Sequence, residues 1–253
     1  MKRLVCLVIL ALVVTTSAFS QNQRRVAGSS FASDYQTVPA MANTTGFGGA
    51  RFQTYVTLLN PTASSFTVEA TLYDAAGVAH AATIPLAPGE LKTWQNFLEE
   101  VFDFSGAGAV RFRSPESTGG TNNNRFIINA EVWSGAGMRY GTTIPAVEFA
   151  GSNSPSFAGG ITVNASTRTN VGCFNESDTA NAITATVQDS SGNALGSVNL
   201  NLAANAWGQT GVNVIVSDGS VRFTPSEAAV CYASVVSNTT HDGRFVEAAE
   251  YRP

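Results

Sequence analysis

The sequence is poor in the residues on which most enzymes and nucleic-acid-binding proteins depend. Only two histidines, three cysteines and three tryptophans occur in 253 residues, and charged residues make up 13% of the chain. The formal net charge is -4, and no cluster of lysine and arginine is available to bind a phosphate backbone or an anionic membrane surface. Little charge combined with abundant Gly, Ser, Thr, Asn, Ala and Val is typical of an extracellular all-β protein.

Long hydrophobic runs are absent apart from one at the N-terminus. Lys2 and Arg3 precede the apolar run Leu4–Val14, and Ala18-Phe19-Ser20 fits the cleavage pattern of a secretory signal. A permanent membrane span needs about 20 apolar residues, so this run is too short. The alternative, an N-terminal helix of the core, fits the placement of the charges less well. We therefore expect residues 1–20 to be a cleaved signal peptide and the mature protein to reach the periplasm, cell surface or medium without membrane insertion.

The rest of the chain contains one module twice. Val110-Arg111-Phe112 recurs unchanged as Val221-Arg222-Phe223, and Asp74–Gly77 corresponds to Asp189–Gly192. Further matches follow in the same order along both copies, which chance similarity between unrelated domains does not explain. The predicted organisation after the signal peptide is a flexible N-terminal segment at 21–30, a first β-sandwich at 31–149, a polar linker at 150–157 and a second β-sandwich at 158–253.

Each module shows the two-residue hydrophobic period of strands with one buried and one wet face. Residues 68–72 alternate apolar and polar side chains in the first module, as residues 183–187 do in the second. Modules of this length with about seven short strands are typical of immunoglobulin-like sandwiches. The predicted fold class is all-β, two tandem immunoglobulin-like antiparallel β-sandwiches. In the first module we expect strands near 35–39, 52–59, 65–73, 78–86, 90–94, 107–113 and 125–133, and an edge strand at 138–147.

Turn and cap residues predict how these strands are connected. An aspartate at the start of a turn and a glycine at its end predict hairpins at Asp74–Gly77 and Asp189–Gly192. Asp218-Gly219 predicts a further, tighter hairpin. A short helix in the first module is expected to begin with Asn96 as its cap and Glu99 returning the bond.

Two of the three cysteines lie in the second module at positions that face inward. Cys173 aligns with Leu58, and Cys231 aligns with Ile128. If Leu58 and Ile128 touch across the first core, the two cysteines form a structural disulfide, which an exported compartment permits. Two free buried thiols are the alternative, whereas a redox-active pair is disfavoured because the spacing is unlike Cys-x-x-Cys.

No arrangement of residues predicts catalysis, a cofactor or a metal site. His80 and His241 occupy non-equivalent positions, and His241 beside Asp242 does not form a triad because neighbouring side chains on a turn point apart. Two distant histidines do not make a zinc site once the cysteines are paired. The acidic residues that could supply facing carboxylates for glycoside hydrolysis are Glu69, Glu90, Glu131 and Glu148. The first three have no acidic counterpart in the second module, so we expect a protein that is not an enzyme.

Four turn motifs punctuate the first module: Asn60-Pro61, Tyr73-Asp74-Ala75-Ala76-Gly77, Leu86-Ala87-Pro88-Gly89-Glu90 and Ile144-Pro145-Ala146. With these motifs, the chain from about Tyr35 to Ala248 resembles a group of uncharacterised secreted bacterial tandem repeat modules. The second module departs from the pattern at Glu176, where proline is usual, and at its cysteine pair. The resemblance implies the sandwich fold and an accessory or envelope-associated role, and it brings no catalytic residue.

We therefore expect a secreted or envelope-associated binding or structural protein that acts through its loops or sheet edges. Its expected partner is a protein or polysaccharide at the cell surface, and nucleic acid is not expected. Two alternatives stay open, a subunit of a surface assembly and a carbohydrate-binding or carbohydrate-active accessory protein. Aromatic side chains that could form a sugar or protein platform, or simply close the end of a core, are Tyr35, Tyr55, Trp94, Trp133, Tyr140 and Trp207.

Overall fold

The structure is a computed structural model that describes residues 32–115, 124–134, 140–148 and 151–250. The predicted signal peptide at 1–20 and the segment at 21–30 lie outside the described residues. We refer to residues 32–148 as the first half and to residues 151–250 as the second half. Within the described ranges, no helix has both the length and the apolar character required to span a bilayer.

The described residues of the first half form eight strands, a 3-10 turn at Phe47–Gly49 and one short α-helix, α1 (Phe97–Phe102), which follows the fifth strand. Every strand predicted here from the two-residue period is present, and the first one is longer than predicted. The strands are β1 (Tyr35–Thr45), β2 (Arg51–Leu59), β3 (Phe66–Tyr73), β4 (Ala79–Leu86), β5 (Leu91–Trp94), β6 (Gly106–Arg113), β7 (Ile127–Ser134) and β8 (Tyr140–Ile144).

The second half contains strands only, apart from its turns. Its first strand begins at Ser156, within the segment predicted as the linker. The strands are β9 (Ser156–Val163), β10 (Thr167–Asn175), β11 (Asn181–Gln188), β12 (Ala194–Leu202), β13 (Trp207–Gly211), β14 (Val216–Pro225), β15 (Ala229–Ser237), β16 (Gly243–Glu247) and β17 (Ala249–Glu250).

These strands form three antiparallel sheets. The first half has one eight-stranded sheet in the order β4-β3-β6-β1-β2-β7-β8, with β5 also paired to β2. The second half has a four-stranded sheet, β13-β10-β15-β16, and a five-stranded sheet, β12-β11-β14-β9-β17. The eight-stranded sheet is continuous because β1 pairs with β6 along most of its length and then with β2 at Asn43–Thr45.

Each half has its own hydrophobic core, and both cores are β-sandwich-like. In the first half, Val68 of β3 and Val110 of β6 share one buried cluster with Val56 of β2 and Ile128 of β7. In the second half, the core-facing side chains of the four-stranded and five-stranded sheets meet in a second buried cluster. The fold class is therefore all-β, as the composition and period predicted.

The two Asp-to-Gly hairpins are confirmed in detail. Asp74 Oδ1 accepts hydrogen bonds from the backbone N–H groups of Ala76 and Val78, and Gly77 has a φ of 80°. The turn at Asp189 repeats this arrangement, and Gly192 has a φ of 84°. The aspartate pre-orders the turn and the glycine supplies its left-handed residue, so the pair specifies a hairpin locally.

The predicted hairpin at Asp218-Gly219 is wrong. These residues lie inside β14, whose register against β9 shifts between Val216 and Gly219, and Asp218 has a φ of 51°. The strand absorbs an extra residue there as a β-bulge and continues. Because an Asp-Gly pair suits positive φ in bulges as well as in tight turns, the dipeptide alone does not distinguish the two.

The predicted capping of α1 is also wrong in its partners. The Asn96 side chain makes no cap bond. Its amide donates instead to Asn43 Oδ1 at 3.0 Å, and the Asn43 amide donates to Glu99 Oε2 at 2.7 Å. The Asn96 backbone N–H donates a hydrogen bond to Glu100 Oε1 at 2.7 Å. Asn43, a buried residue of β1, therefore binds the side chains of Asn96 and Glu99, which a capping box would have used at the start of the helix.

Candidate functional site between the two halves

Both faces of the four-stranded sheet of the second half carry buried side chains. Cys173 and Ala233 face the core of the second half, while Phe174 and Tyr232 face the opposite way, and all four are fully buried. A sheet that packed on one side only would present polar residues on its outer face. Here the first half covers that outer face, so an interface between the halves extends along β10 and β15.

An arginine of the first half anchors this interface. The Arg111 guanidinium lies over the rings of Tyr35, Tyr73 and Phe174, with centroid distances of 5.8, 5.1 and 5.5 Å. Its Nη2 is 3.7 Å from Oε1 of Glu176, whose side chain is only 2% exposed. Burial raises the pKa of Tyr35, and the nearby Glu176 carboxylate raises it further. Aromatic faces and a carboxylate thus hold one cation between the halves.

Glu176 follows Asn175 where the first half has Pro61 after Asn60, and its contacts account for this difference. Proline at this position would have neither a carboxylate for Arg111 nor the N–H that Glu176 donates to Ala228 O at 3.0 Å. The Glu176 carboxylate also accepts the Gly151 N–H, next to the connection between the halves. Arg222, the counterpart of Arg111 in the second half, is exposed. The same Val-Arg-Phe sequence therefore makes an interface in one half and a solvated surface in the other.

The first hairpin forms a second contact between the halves. The backbone N–H of Trp207 donates to the backbone carbonyl of Asp74 at 3.0 Å. A Cβ atom at Gly77 would lie 2.2 Å from Ala204 O, so only glycine permits this approach. On the other side of the interface, the edge strands β8 and β16 meet where Thr142 Oγ1 donates to Gly243 O.

A cavity of about 380 Å³ lies between these contacts and is lined by both halves. The first half contributes a mainly apolar wall that includes Ala40, Ala42, Phe52, Val132, Tyr140 and Ile144. The second half contributes a more polar wall from the outer face of its four-stranded sheet, including Arg168, Asn170, Gln209, Ser234, His241 and Phe245. The volume lies within the range of small-molecule sites, which occur preferentially at interfaces of this kind.

Strand register places the polar side chains of the second wall side by side. Asn170 of β10 lies directly opposite Ser234 of β15, and Gln209 of β13 lies opposite Gly172. Gly172 leaves room for the Tyr232 ring, which would be 2.3 Å from a Cβ atom there. Tyr232 Oη crosses this gap and donates to Gln209 Oε1 at 3.0 Å. Complete burial raises the pKa of Tyr232, so its hydroxyl stays protonated and keeps this bond.

Arg168 is the charged residue of this wall. Its Nη1 donates to Ser237 O at 3.3 Å and to Asn238 Oδ1 at 3.1 Å. Desolvation lowers the pKa of Arg168, although an arginine stays charged at physiological pH. Among the described residues that line the cavity there is no aspartate or glutamate. The cavity is therefore suited to neutral or anionic molecules rather than to cations.

The predicted structural disulfide is present between Cys173 and Cys231. The two cysteines are direct partners on β10 and β15, with a Cα–Cα distance of 4.1 Å. Leu58 and Ile128 are likewise partners on the adjacent strands β2 and β7. The expectation that these positions touch across the core was wrong, because they are neighbours within one sheet. The bridge lies on the core side of the sheet, away from the cavity.

The two histidines lie in separate surroundings. His80 lies on β4, with Nε2 3.4 Å from Asp74 Oδ2 and its ring 5.0 Å from that of Phe104. His241 is half-buried in a turn, has a φ of 61° and lines the cavity. In the part of the chain that the structure describes, no three His, Cys, Asp or Glu residues gather in a way that could hold a metal ion.

Sequence reasoning missed the interface, although two signals for it exist in the chain. Phe174 and Tyr232 are large aromatic residues at strand positions with outward parity, where an exposed sheet face would carry polar side chains. Glu176 departs from the expected proline. Each signal consists of only one or two residues, and it becomes informative only when the other side of the interface is known.

Comparisons with known proteins do not place the chain in a family. No protein-family model and no curated protein matches it. Among solved structures, it has a likeness to Bacteroides uniformis beta-glucuronidase 2 covalently bound to cyclophellitol-6-carboxylate aziridine, at 11% sequence identity and a TM-score of 0.16. The alignment covers 81% of this chain and 26% of that chain. A likeness at this level carries no argument about fold or activity.

Proposed function

We propose that this protein is an exported, non-catalytic binding protein that holds a small ligand in the cavity between its two halves. The observation that carries the proposal is the cavity of about 380 Å³, which has an apolar wall from one half and a polar wall from the other. Arg111 and Glu176 hold the two walls together. A site whose walls are fixed in advance costs less conformational entropy on binding.

The proposal treats residues 31–149 and 158–253 as tandem copies of one immunoglobulin-like module. Support comes from the strand order, because β4-β3-β6-β1 and β5-β2-β7-β8 correspond to β12-β11-β14-β9 and β13-β10-β15-β16. A buried asparagine turn also recurs. In each copy one asparagine amide donates to two backbone carbonyls at 2.7–2.8 Å, from Asn60 to Ser64 and Ala87, and from Asn175 to Thr179 and Ala203.

Export is supported by the pattern of residues 1–20 and by the disulfide. The Cys173–Cys231 bond is consistent with an oxidising compartment. Within that compartment we place the protein at the cell surface, in the periplasm or in the medium. Its macromolecular partner, if it acts while attached to the envelope, is a surface protein or polysaccharide.

The non-catalytic role is supported by the positions of the candidate acids. Glu69 and Glu131 lie on β3 and β7, which β6, β1 and β2 separate in the sheet. Glu90 closes a turn, where its Oε2 accepts the Ala87 N–H at 2.7 Å and its Oε1 lies 3.9 Å from Lys92 Nζ. These carboxylates have separate structural surroundings, whereas glycoside hydrolysis needs two that face each other across a cleft.

A thermal-shift screen with a matched pair of variants tests the binding role. Ser234→Phe fills the cavity, whereas Ser197→Phe adds the same ring at an exposed position of β12. A library of sugars, organic acids and other small metabolites is screened against the wild type and both variants, after circular dichroism has shown that the variants fold. We expect compounds that raise the Tm of the wild type and of Ser197→Phe but not of Ser234→Phe. A library without such a compound would overturn the proposal.

A second candidate function is that of a subunit in a surface assembly. The edge strands β4 and β12 each pair on one side only, and exposed apolar side chains lie on or beside them at Val78 and Leu195. Such edges accept an added strand from another chain. Light scattering at micromolar protein concentration checks this, because an assembly subunit should be multimeric there and a simple binding protein should be monomeric.

A further inference from the structure

The polar wall of the cavity has hydrogen-bonding groups that the protein itself does not use. The side chains of Asn170 and Ser234 make no hydrogen bond with any residue that the structure describes, and both are only half-buried. They lie opposite each other on β10 and β15, on the face that lines the cavity. A half-buried amide and hydroxyl at such a position are available to a ligand.

The third polar group of the wall is partly engaged. Gln209 Oε1 accepts the Tyr232 hydroxyl, which directs the two N–H donors of the Gln209 amide elsewhere. The wall therefore presents amide donors from Gln209, donors and an acceptor from Asn170, and a hydroxyl from Ser234 that serves as either. A ligand complementary to this mixture needs groups that both donate and accept, and hydroxyl groups have that property.

The facing wall is mainly apolar; its polar members are Thr44, and Ser134 and Thr142, whose hydroxyls donate to His241 O and Gly243 O. Ala40, Ala42, Val132 and Ile144 offer aliphatic surface, and Tyr140 offers an aromatic ring. A purely apolar ligand would contact this wall but would leave the amides opposite it unsatisfied. A molecule with a hydroxyl-bearing edge and an apolar C–H face satisfies both walls at once.

Building on the proposed function, we infer that the ligand is a small sugar, with its hydroxyl groups on Asn170, Ser234 and Gln209 and its C–H face on the apolar wall. The volume of about 380 Å³ is near the lower end of the range for small-molecule sites, so the cavity takes a short saccharide rather than a polymer chain. The absence of carboxylates from the described lining agrees with a neutral or acidic sugar.

Saturation-transfer NMR and titration calorimetry test this inference with named probes. The sugars are glucose, galactose, N-acetylglucosamine, glucuronate, maltose and cellobiose, and the comparison ligands are octanoate and phenylalanine. We expect at least one sugar to bind the wild type, with saturation transferred from the protein to the C–H protons of that sugar. Asn170→Leu, which removes the central amide, should weaken that binding by about tenfold.

Two further variants keep the test independent of folding. Gln209→Ala alters an exposed residue of an edge strand but removes the acceptor of the Tyr232 hydroxyl, so circular dichroism checks its fold before its sugar binding, which should also be weaker, is measured. Asn201→Leu makes the same substitution as Asn170→Leu at an exposed position of β12 and should bind like the wild type. Equal sugar affinity in the wild type, Asn170→Leu and Gln209→Ala would overturn the assignment of these residues.

The failure of this inference is distinguishable from the failure of the proposed function. Binding of octanoate or another non-sugar that is lost in Ser234→Phe, without binding of any sugar, would refute the sugar ligand and leave the cavity as a binding site. Absence of any ligand whose binding depends on Ser234 would refute both.

Discussion

Removal of the Arg111 side chain should destabilise the protein far more than removal of the Arg222 side chain. Arg111 and Arg222 sit in identical Val-Arg-Phe segments of β6 and β14. Arg111 lies over three aromatic rings and pairs with Glu176, whereas Arg222 is exposed. Because the local sequence is the same, a difference between Arg111→Ala and Arg222→Ala reflects the surroundings of Arg111, which include Phe174 and Glu176 of the second half, and not the propensity of the strand.

The magnitude follows from what each substitution leaves behind. Arg111→Ala leaves the Glu176 carboxylate, which is 2% exposed, without its cation and removes that cation from the aromatic rings. Loss of one partner of a buried ion pair costs about 3–5 kcal/mol, and cation–π contacts contribute about 0.5–2 kcal/mol. Since the Arg111 side chain is itself 23% exposed, solvent screening reduces the ion-pair part. We expect Arg111→Ala to lower the free energy of unfolding by about 2–4 kcal/mol, and Arg222→Ala to change it by about 0.5 kcal/mol or less.

Urea denaturation followed by tryptophan fluorescence measures both values, because Trp207 lies at the interface. A double-mutant cycle with Glu176→Gln isolates the pair, since glutamine keeps an acceptor for the Gly151 N–H but loses the charge. A coupling energy of about 1–2 kcal/mol is expected for groups in contact. Equal effects of Arg111→Ala and Arg222→Ala, or a coupling energy near zero, would refute the role of this contact in joining the halves.

Three further predictions concern the turns and the core. Asn60→Ala and Asn175→Ala should each lower the free energy of unfolding by about 2–3 kcal/mol in denaturation experiments, because each removes a fully buried amide that donates to two backbone carbonyls and accepts a backbone N–H of its own turn; an effect in only one half would contradict the equivalence of the turns. Reduction of the Cys173–Cys231 bond, which joins residues 58 apart, should cost roughly 4 kcal/mol, and mass spectrometry of the unreduced protein should detect this single linkage rather than free thiols. Burial raises the pKa of Asp74, but N–H bonds from Val78 and Ala76 and the His80 contact outweigh it and lower the pKa below its usual 3.8. The stability that Asp74 contributes is therefore present above pH 3.8 and is lost as the pH falls through its folded pKa; the difference between the wild type and Asp74→Asn should shrink in that acidic window, and a constant difference would exclude ionisation as its cause.

The strands and hairpins could be predicted from the sequence because their causes are local. The two-residue period of residues 68–72 and 183–187 reflects alternation of side chains within one strand. The turns at Asp74 and Asp189 are closed by bonds within five residues, so their sequence contains the whole interaction. The disulfide could be predicted by aligning Cys173 and Cys231 with the inward-facing Leu58 and Ile128, although its geometry within one sheet could not.

Predictions failed where a local motif has two outcomes of similar energy. Asp218-Gly219 suits a bulge as well as a hairpin, and pairing with β9 decided for the bulge. The Asn96 side chain was available to cap α1, but the buried Asn43 of β1 engaged it instead. In both cases a partner that is distant in sequence determined the result.

The sequence by itself determined an all-β chain, the strand positions of the first half, the hairpins at Asp74 and Asp189 and the pairing of the cysteines. Only the tertiary structure decided that both faces of the four-stranded sheet carry buried side chains and that a cavity remains between the halves. Burial of the outer face depends on contacts such as those of Phe174 with Tyr73 and Arg111 of the other half. Those contacts join segments far apart in the chain, and identical sequences at Arg111 and Arg222 have different surroundings because only one of them faces the other half.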